Sequence, residues 1–238
     1  MEPFFSRVKL NRDRVESFEA HPFDLAAVRL IETLKFDRPV TYLVGENGAG
    51  KSTVVEALAV TAGFNAEGGS KNFNFDTTQT HSALHESLTL VRAGRREKNG
   101  FFLRAESFYN VASEIINLGV GHNYGPRGLH DQSHGESFMA LVENRFWPDS
   151  LYFLDEPESA LSPARQLRLL QEIDRLVGQR CQFIIATHSP ILMSYPTSRL
   201  YWLSRDGVEE KDWKDTEHYT LTKSFLDRPS AFLRHLGT

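Results

Sequence analysis

Short apolar runs alternate with longer amphipathic stretches along most of the chain. The apolar runs are typical of strands that are buried on both faces, and four of them span residues 40–44, 151–156, 181–187 and 199–204. The amphipathic stretches have helical spacing and span residues 51–62, 136–146 and 163–177. Strands that alternate with helices predict an α/β fold, with a mostly parallel sheet flanked by helices on both faces.

Residues 64–135 interrupt this alternation. The segment begins as a polar loop and contains two strand-like runs, "SLTLVR" and "GFFLRA". The linker between them, "AGRREKNG", has the glycines and charges of a hairpin connection. We therefore expect one domain over residues 1–238, with a small antiparallel or helical insertion over about 64–135.

The composition adds three constraints. Hydrophobic residues make up 40% of the chain and the net charge is −4, which is typical of a soluble domain without a global basic field. Cys181 is the only cysteine, so an internal disulfide is excluded and a reducing compartment is favoured. We find neither an apolar leader nor a run of the ~20 apolar residues that a membrane helix needs, and we expect a cytoplasmic protein.

The glycine-rich stretch "GENGAGKST" directly follows the first apolar run. Its spacing is Gly45-x-x-x-x-Gly50-Lys51-Ser52. Glycines allow backbone N–H groups to turn inward around phosphate oxygens, Lys51 can reach the β- and γ-phosphates, and Ser52 can bind Mg²⁺. The predicted phosphate site consists of Gly45, Glu46, Asn47, Gly48, Ala49, Gly50, Lys51, Ser52 and Thr53.

Two strand ends carry further candidate residues. Asp155 and Glu156 end the run 151–156, and the carboxyl edge of a parallel sheet is where α/β folds bind ligands. Asp155 is suited to hold Mg²⁺, and Glu156 to polarise an attacking water. His188 follows the run 181–187, where a single histidine is more often structural than catalytic.

A polar turn, "QSHGES", precedes the predicted helix 136–146. Taken alone, it is a flexible turn with a helix cap. The order of the motifs is more informative, because a phosphate loop, a Ser-x-Gly-Glu turn, an acidic strand end and a strand-end histidine follow one another. This order resembles that of the ABC-type ATPase superfamily of P-loop NTPases.

The resemblance covers residues 40–205 and extends to whole phrases. "FFLRAESFYNVA", "LHDQSHGESF", "FLDEPE" and "FIIATHSPILM" resemble the small stand-alone bacterial ATPases related to the chromosome-maintenance and DNA-repair branch. The signature of that branch is "LSGGE"; Ser133, Gly135 and Glu136 match it, whereas Gln132 and His134 depart from it. The stretch "DEPESALS" is similar to the family's "DEPTSALD", so the resemblance makes residues 159–162 the D-loop.

The resemblance implies two ATP molecules bound between two head-to-tail subunits. Lys51, Ser52 and Asp155 of one subunit would hold MgATP. The signature turn of the second subunit would cap the γ-phosphate through Ser133 and the backbone of Gly135, with Glu136 as a further residue of the nucleotide site. ATP would then close the dimer and hydrolysis would release it.

The resemblance also implies a catalytic set. Glu156 would act on the lytic water, and His188 would stabilise charge on the transferred phosphoryl group beside Lys51. The family usually has a glutamine after a strand between the phosphate loop and the signature; Glu106 occupies that place as an anion, and Gln79 is the alternative. Three aromatic residues compete for stacking on adenine: Phe23, Phe18 and Phe36.

We favour a soluble ATPase switch that acts on a partner protein or nucleic acid. The alternative is the ATPase subunit of a membrane transporter, but the segment between Glu106 and Ser133 is short for the helices with which such subunits dock. A kinase or GTPase would explain neither the signature nor the D-loop. Nucleic acid is suggested by a basic cluster, for which a solvated turn is an equally good interpretation: Arg92, Arg95, Arg96 and Lys98.

The C-terminal stretch has apolar residues at helical spacing. These residues predict a small helix that either packs on the domain or docks a partner: Phe225, Leu226, Phe232 and Leu233. His218 and Tyr219 lie in the same stretch, and ordinary packing is the interpretation that their residue types support.

Overall fold

A computed structural model describes residues 2–71, 82–104 and 133–234. Within these ranges the strands are β1 (Phe5–Leu10), β2 (Thr33–Lys35), β3 (Val40–Gly45), β4 (Gly69–Ser70), β5 (Leu88–Arg92), β6 (Asn99–Arg104), β7 (Ser150–Asp155), β8 (Gln182–Ala186), β9 (Arg199–Ser204) and β10 (Gly207–Glu210). The α-helices there are α1 (Ala26–Arg29), α2 (Lys51–Thr61), α3 (Leu84–Ser87), α4 (His134–Arg145), α5 (Pro163–Gly178), α6 (Pro190–Met193), α7 (Glu217–Asp227) and α8 (Pro229–Leu233). Short 3-10 turns span Arg12–Arg14, Pro157–Ala160 and Trp213–Asp215.

The main sheet is mostly parallel, as predicted. Among the described residues it has seven strands in the order β10-β9-β3-β8-β7-β6-β4. The five inner strands pair in parallel, and the two edge strands pair antiparallel to their neighbours. The carboxyl ends of β3, β7 and β8 therefore lie side by side, at the edge where α/β folds bind ligands.

The predicted hairpin is wrong. β5 pairs antiparallel with β1 in a separate small sheet with β2, whereas β6 pairs in parallel with β7 in the main sheet. The reason is the burial of β6: Phe101, Phe102 and Leu103 are all buried, so both faces of this strand need to be covered. Part of the segment predicted as an insertion thus belongs to the main sheet.

Both faces of β3 are covered by hydrophobic residues. Tyr42 packs on one face in a cluster that includes Leu169 and Ile173 of α5, while Leu43 packs on the other face with Leu58 of α2. All of these side chains are completely buried. Because hydrophobic burial fixes β3 from both sides, the loop that follows this strand starts from a rigid position.

The C-terminal helices α7 and α8 lie on the surface. No described residue of either helix is buried, and Leu221, Leu226 and Leu233 are at least half exposed. Phe225 and Phe232 pack on each other, with ring centroids 5.8 Å apart. Across the described ranges, no helix combines the length and the apolar character needed to cross a membrane.

The close approach of β3 and β9 makes a first prediction. A Cβ atom added to Gly45 would lie 2.2 Å from the backbone oxygen of Leu203, and neither backbone can yield easily. We expect Gly45→Ala to destabilise the fold by about 2–4 kcal/mol and to lower the melting temperature by roughly 5–15 °C. The matched control is Gly178→Ala, where an added Cβ has no neighbour within 4 Å. Equal melting temperatures for the two variants would contradict the close approach.

Candidate nucleotide site

The phosphate loop connects the buried strand β3 to helix α2. Gly48 and Gly50 have φ angles of 78° and 91°, a left-handed conformation that favours glycine. Gly50 is the N-cap of α2, so free backbone N–H groups and the positive end of the helix dipole meet at the loop. A cavity of about 540 Å³ opens there, lined by His21, Leu25, Asn47, Gly48, Gly50, Lys51, Ser52, Thr53 and Glu156.

Lys51 is the buried cation of this site. Its side chain is 4% exposed, and its Nζ donates a hydrogen bond to the backbone oxygen of Glu46 at 3.1 Å. The Nζ atom also lies 3.9 Å from Oε1 of Glu156. Burial lowers the pKa of Lys51, while the neighbouring charges of Glu156 and Asp155 oppose that shift. The negative charge of a bound phosphate would stabilise this buried ammonium group further.

The acidic end of β7 lies beside the phosphate loop. Asp155 is 7% exposed and pairs in register with Arg104 of β6 and Ala186 of β8. Glu156 has a φ of 49°, an uncommon conformation for a residue other than glycine, and its N–H donates to the backbone oxygen of Ala186. This turn directs the Glu156 side chain toward Lys51, and such strained residues cluster at functional sites.

His188 completes the group of polar side chains at this site. Its Nε2 lies 3.2 Å from Oε1 of Glu156, and its Nδ1 lies 2.9 Å from Nε2 of His218. The backbone N–H of His188 donates to the carboxylate of Glu158, in the 3-10 turn after β7. The predicted strand-end histidine therefore touches the predicted catalytic glutamate.

The donor set also fits Mg²⁺. Ser52 lines the cavity and supplies a hydroxyl oxygen. Asp155 supplies a carboxylate at the end of β7, which β8 separates from β3 in the sheet. Mg²⁺ prefers oxygen ligands, and in nucleotide sites it uses one or two protein oxygens together with phosphate oxygens and water. The two residues predicted from the sequence thus match the chemistry of a nucleotide-bound Mg²⁺.

The signature turn lies against its own D-loop. Ser133 is the N-cap of α4; its N–H and its Oγ both donate to Oε2 of Glu136, at 2.9 and 2.7 Å. Glu136 also forms an ion pair with Arg165 at 3.3 Å. A Cβ atom on Gly135 would lie 2.7 Å from the backbone oxygen of Ala160, so this glycine permits the contact with the D-loop.

Comparisons with known proteins agree with these motifs. A family described as "AAA domain" matches residues 18–126, and one described as "AAA domain, putative AbiEii toxin, Type IV TA system" matches residues 138–194. The chain is 26% identical over 232 residues to an uncharacterized ABC transporter ATP-binding protein of Haemophilus influenzae, covering 87% of this chain and 88% of that relative. It is 25% identical over 197 residues to the ATP-binding protein Uup of Caulobacter vibrioides, covering 82% of this chain but only 30% of Uup.

The fold is also similar to that of a solved SmcHead. The SmcHead bound to the C-winged helix domain of ScpA superposes with a TM-score of 0.50 at 14% identity, covering 89% of this chain and 98% of that one. Fold, motif order and relatives all agree. These similarities support an ABC-type P-loop ATPase.

Several of the predicted residues cannot be placed in the site. Glu106, Gln79 and Gln132 fall outside the described residues. Of the aromatic candidates for adenine stacking, Phe23 and Phe36 are buried in the core, and Phe18 is half-buried beneath the guanidinium of Arg12.

The structure also adds residues that no sequence motif indicated. His21 and Leu25, from the segment that leads into α1, line the nucleotide cavity. His218 contacts the strand-end histidine from helix α7. All three contacts join parts of the chain that are distant in sequence.

Three residues of the basic cluster form ion pairs with acidic residues of the same domain. Arg92 forms an ion pair with Glu97 at 2.8 Å. Arg95 and Lys98 pair with the carboxylate of Asp149 at 3.1 and 3.0 Å. These two carboxylates also pair with Lys71 and Arg180, so they offset only part of the local positive charge.

Lys51 generates the second prediction. We expect Lys51→Met to lower the affinity for MgATP at least tenfold, because the loop loses its only cation facing the phosphates among the described lining residues. Without nucleotide, the variant should melt no lower than the wild type, because methionine avoids the cost of burying a charge. Isothermal titration calorimetry and thermal melting measure the two effects. Lys223→Met, at an exposed lysine, is the control and should bind normally; wild-type affinity in Lys51→Met would contradict the site.

Glu158 generates the third prediction. Burial raises the pKa of this carboxyl, although the N–H of His188 donates to it. The protonated carboxyl of Glu158 therefore contributes to the free energy of unfolding. This contribution is complete below the usual carboxyl pKa and is lost as the pH rises through the raised pKa. Glu158→Gln keeps an acceptor for the N–H of His188 but has no charge to bury. We expect the variant to melt a few degrees higher than the wild type at about pH 8, and the difference to shrink toward about pH 4.5. A difference that is independent of pH, measured by calorimetry, would refute this assignment.

Proposed function

We propose that this chain hydrolyses ATP to ADP and phosphate in a head-to-tail dimer, and that it works as a cytoplasmic ATP-controlled switch on a partner protein. The observation that carries the proposal is the meeting of three side chains at the mouth of the phosphate loop. Oε1 of Glu156 lies 3.9 Å from Nζ of Lys51 and 3.2 Å from Nε2 of His188. A base, a buried cation and a hydrogen-bond donor are the groups that phosphoryl transfer to water requires.

The binding of MgATP would use the phosphate loop and the end of β7. Backbone N–H groups of residues 45–53 would surround the phosphates, and Lys51 would lie against the β- and γ-phosphates. Ser52 and Asp155 would hold Mg²⁺, which neutralises the charge that develops on the phosphate oxygens. The cavity of about 540 Å³ supports this role, since it contains the loop glycines, Lys51 and Ser52.

Hydrolysis would depend on Glu156 and His188. Glu156 would orient the attacking water and accept its proton, since its carboxylate lies next to the phosphate loop. His188 would donate from Nε2 to a phosphate oxygen as negative charge increases there. Glu106, which follows β6, would help to orient the water as an anion in place of the family's glutamine.

Closure of the dimer would bring the signature turn of a second copy to the γ-phosphate. Ser133 and Glu136 are exposed on the surface, which makes them accessible to a second copy. The γ-phosphate supplies contacts that ADP lacks, so ATP favours the closed dimer and hydrolysis favours its opening.

The partner that the switch controls is proposed to be a protein. Three residues of the basic cluster at 92–98 are held in ion pairs within the domain, which makes nucleic acid the weaker choice. The second candidate is the ATPase subunit of a membrane transporter, supported by the Haemophilus influenzae relative whose length this chain nearly matches. Fractionation of cells that make the chain at its native level separates the two, since a transporter subunit would sediment with membranes.

Glu156→Gln provides the fourth prediction and the test of the mechanism. We expect this variant to bind MgATP, to hydrolyse it at least about 100-fold more slowly, and to shift from monomer to dimer when MgATP is added. The glutamine retains the shape of the side chain but cannot accept the proton, so the closed state accumulates. Size-exclusion chromatography with light scattering measures the mass.

Two further variants act as controls for that experiment. Glu209→Gln removes an exposed carboxylate of β10 and should leave hydrolysis unchanged. Glu156→Gln combined with Ser133→Arg should bind ATP but remain a monomer, because the signature turn would be blocked. The paired-site mechanism is refuted if Glu156→Gln alone binds ATP but stays a monomer.

A further inference from the structure

We propose that His218 is a positioning residue for ATP hydrolysis, which fixes the tautomer of His188 so that Nε2 carries the proton and faces the reacting phosphate. This inference rests on the proposed function. Its structural basis is a hydrogen-bonded chain of three side chains, Glu156, His188 and His218, contributed by the end of β7, the end of β8 and the first turn of α7.

The contacts of His188 assign its protons. Nε2 of His188 lies 3.2 Å from a carboxylate oxygen of Glu156, and a hydrogen bond to an oxygen acceptor requires a hydrogen on this nitrogen, so we assign the proton to Nε2. In the neutral ring Nδ1 is then an acceptor. Nε2 of His218 lies 2.9 Å from it and must be the donor.

The other ring nitrogen of His218 supports the same assignment. Nδ1 of His218 is buried and has no hydrogen-bond partner among the described residues. A hydrogen on Nδ1 would be a buried donor without an acceptor, which native structures avoid more strictly than a bare acceptor. The proton of His218 therefore belongs on Nε2, where His188 accepts it.

The surroundings of His218 also keep its ring neutral. Burial lowers its pKa, and the nearby His188 and Lys51 lower it further, while Glu46 acts in the opposite direction. His218 also lies in the first turn of α7, where the positive end of the helix dipole disfavours a cation. A neutral ring that carries its hydrogen on Nε2 is the form that can hold His188.

The start of α7 is fixed although the rest of the helix is exposed. Thr216, the N-cap, is completely buried; it donates to the backbone oxygen of Trp213 at 2.6 Å and accepts from the N–H of Tyr219. The ring of Trp202 on β9 contacts His218 edge to face, with centroids 5.5 Å apart. These contacts set the ring of His218 before any nucleotide binds.

Loss of the donor on His218 would release His188 into the other tautomer. That tautomer places a lone pair on Nε2, which repels the carboxylate of Glu156 and cannot donate to a phosphate oxygen. ATP binding should be unaffected, because His218 does not line the nucleotide cavity. The expected signature is thus a lower kcat with an unchanged KM.

The fifth prediction compares two substitutions of His218. His218→Phe retains an aromatic ring against Trp202 but has no donor, and we expect kcat to fall about tenfold with KM for ATP within twofold of the wild type. His218→Gln places an amide N–H near the position of Nε2, and it should recover most of the activity. Tyr219→Phe, one residue further along α7, is the control for disturbance of the helix and should be fully active.

Nitrogen-15 NMR of the nucleotide-free chain gives a readout that needs no hydrolysis. His188 should be an Nε2–H tautomer in the wild type and in His218→Gln, and a mixture of tautomers in His218→Phe. The proposal is overturned if His188 keeps the Nε2–H tautomer in His218→Phe, or if Phe and Gln lower kcat equally. If the wild type shows the expected tautomer but does not hydrolyse ATP, the proposed function is wrong, whereas the hydrogen bond between His218 and His188 is confirmed.

Discussion

A buried lysine is the constraint around which the nucleotide site is organised. Lys51 is 4% exposed, and a charge so far from water is costly unless opposite charges or hydrogen bonds surround it. The backbone oxygen of Glu46 and the carboxylates of Glu156 and Asp155 provide that compensation in the free chain. A bound triphosphate would provide more, so binding energy would arise at the position of the proposed hydrolysis.

The same constraint explains the unusual backbone at the end of β7. In an extended conformation the side chain after Asp155 would continue the alternation of the strand, but the left-handed turn at Glu156 brings its carboxylate to Lys51 and His188. This conformation costs on the order of 1–3 kcal/mol in a residue other than glycine. Interactions with the lysine and the histidine offset that cost, so strain and charge pairing are coupled at this residue.

Local sequence patterns predict those parts of the molecule whose cause is local. Apolar runs, helical spacing and glycines that lie within a few residues of each other predict β3, α2, β7 and β8. The order of the motifs predicts that Lys51 lies near Glu156. The pairing of β6 could not be predicted in the same way, because a short apolar run fits a hairpin and a central parallel strand equally well. His21, Leu25 and His218 were not indicated because they reach the site only through tertiary contacts between distant segments.

The predicted signature turn is already hydrogen-bonded in the free chain, which bears on the closure that we propose. In the free chain the N–H and the hydroxyl of Ser133 are already bonded to Glu136, and Glu136 is paired with Arg165. A phosphate that accepts a hydrogen bond from the Ser133 hydroxyl must therefore replace an existing hydrogen bond, and an exchange of this kind yields only a small net free energy. In the proposed dimer, closure would then depend on charge that only the γ-phosphate supplies, and a small net gain would let the dimer open again once that phosphate has been cleaved.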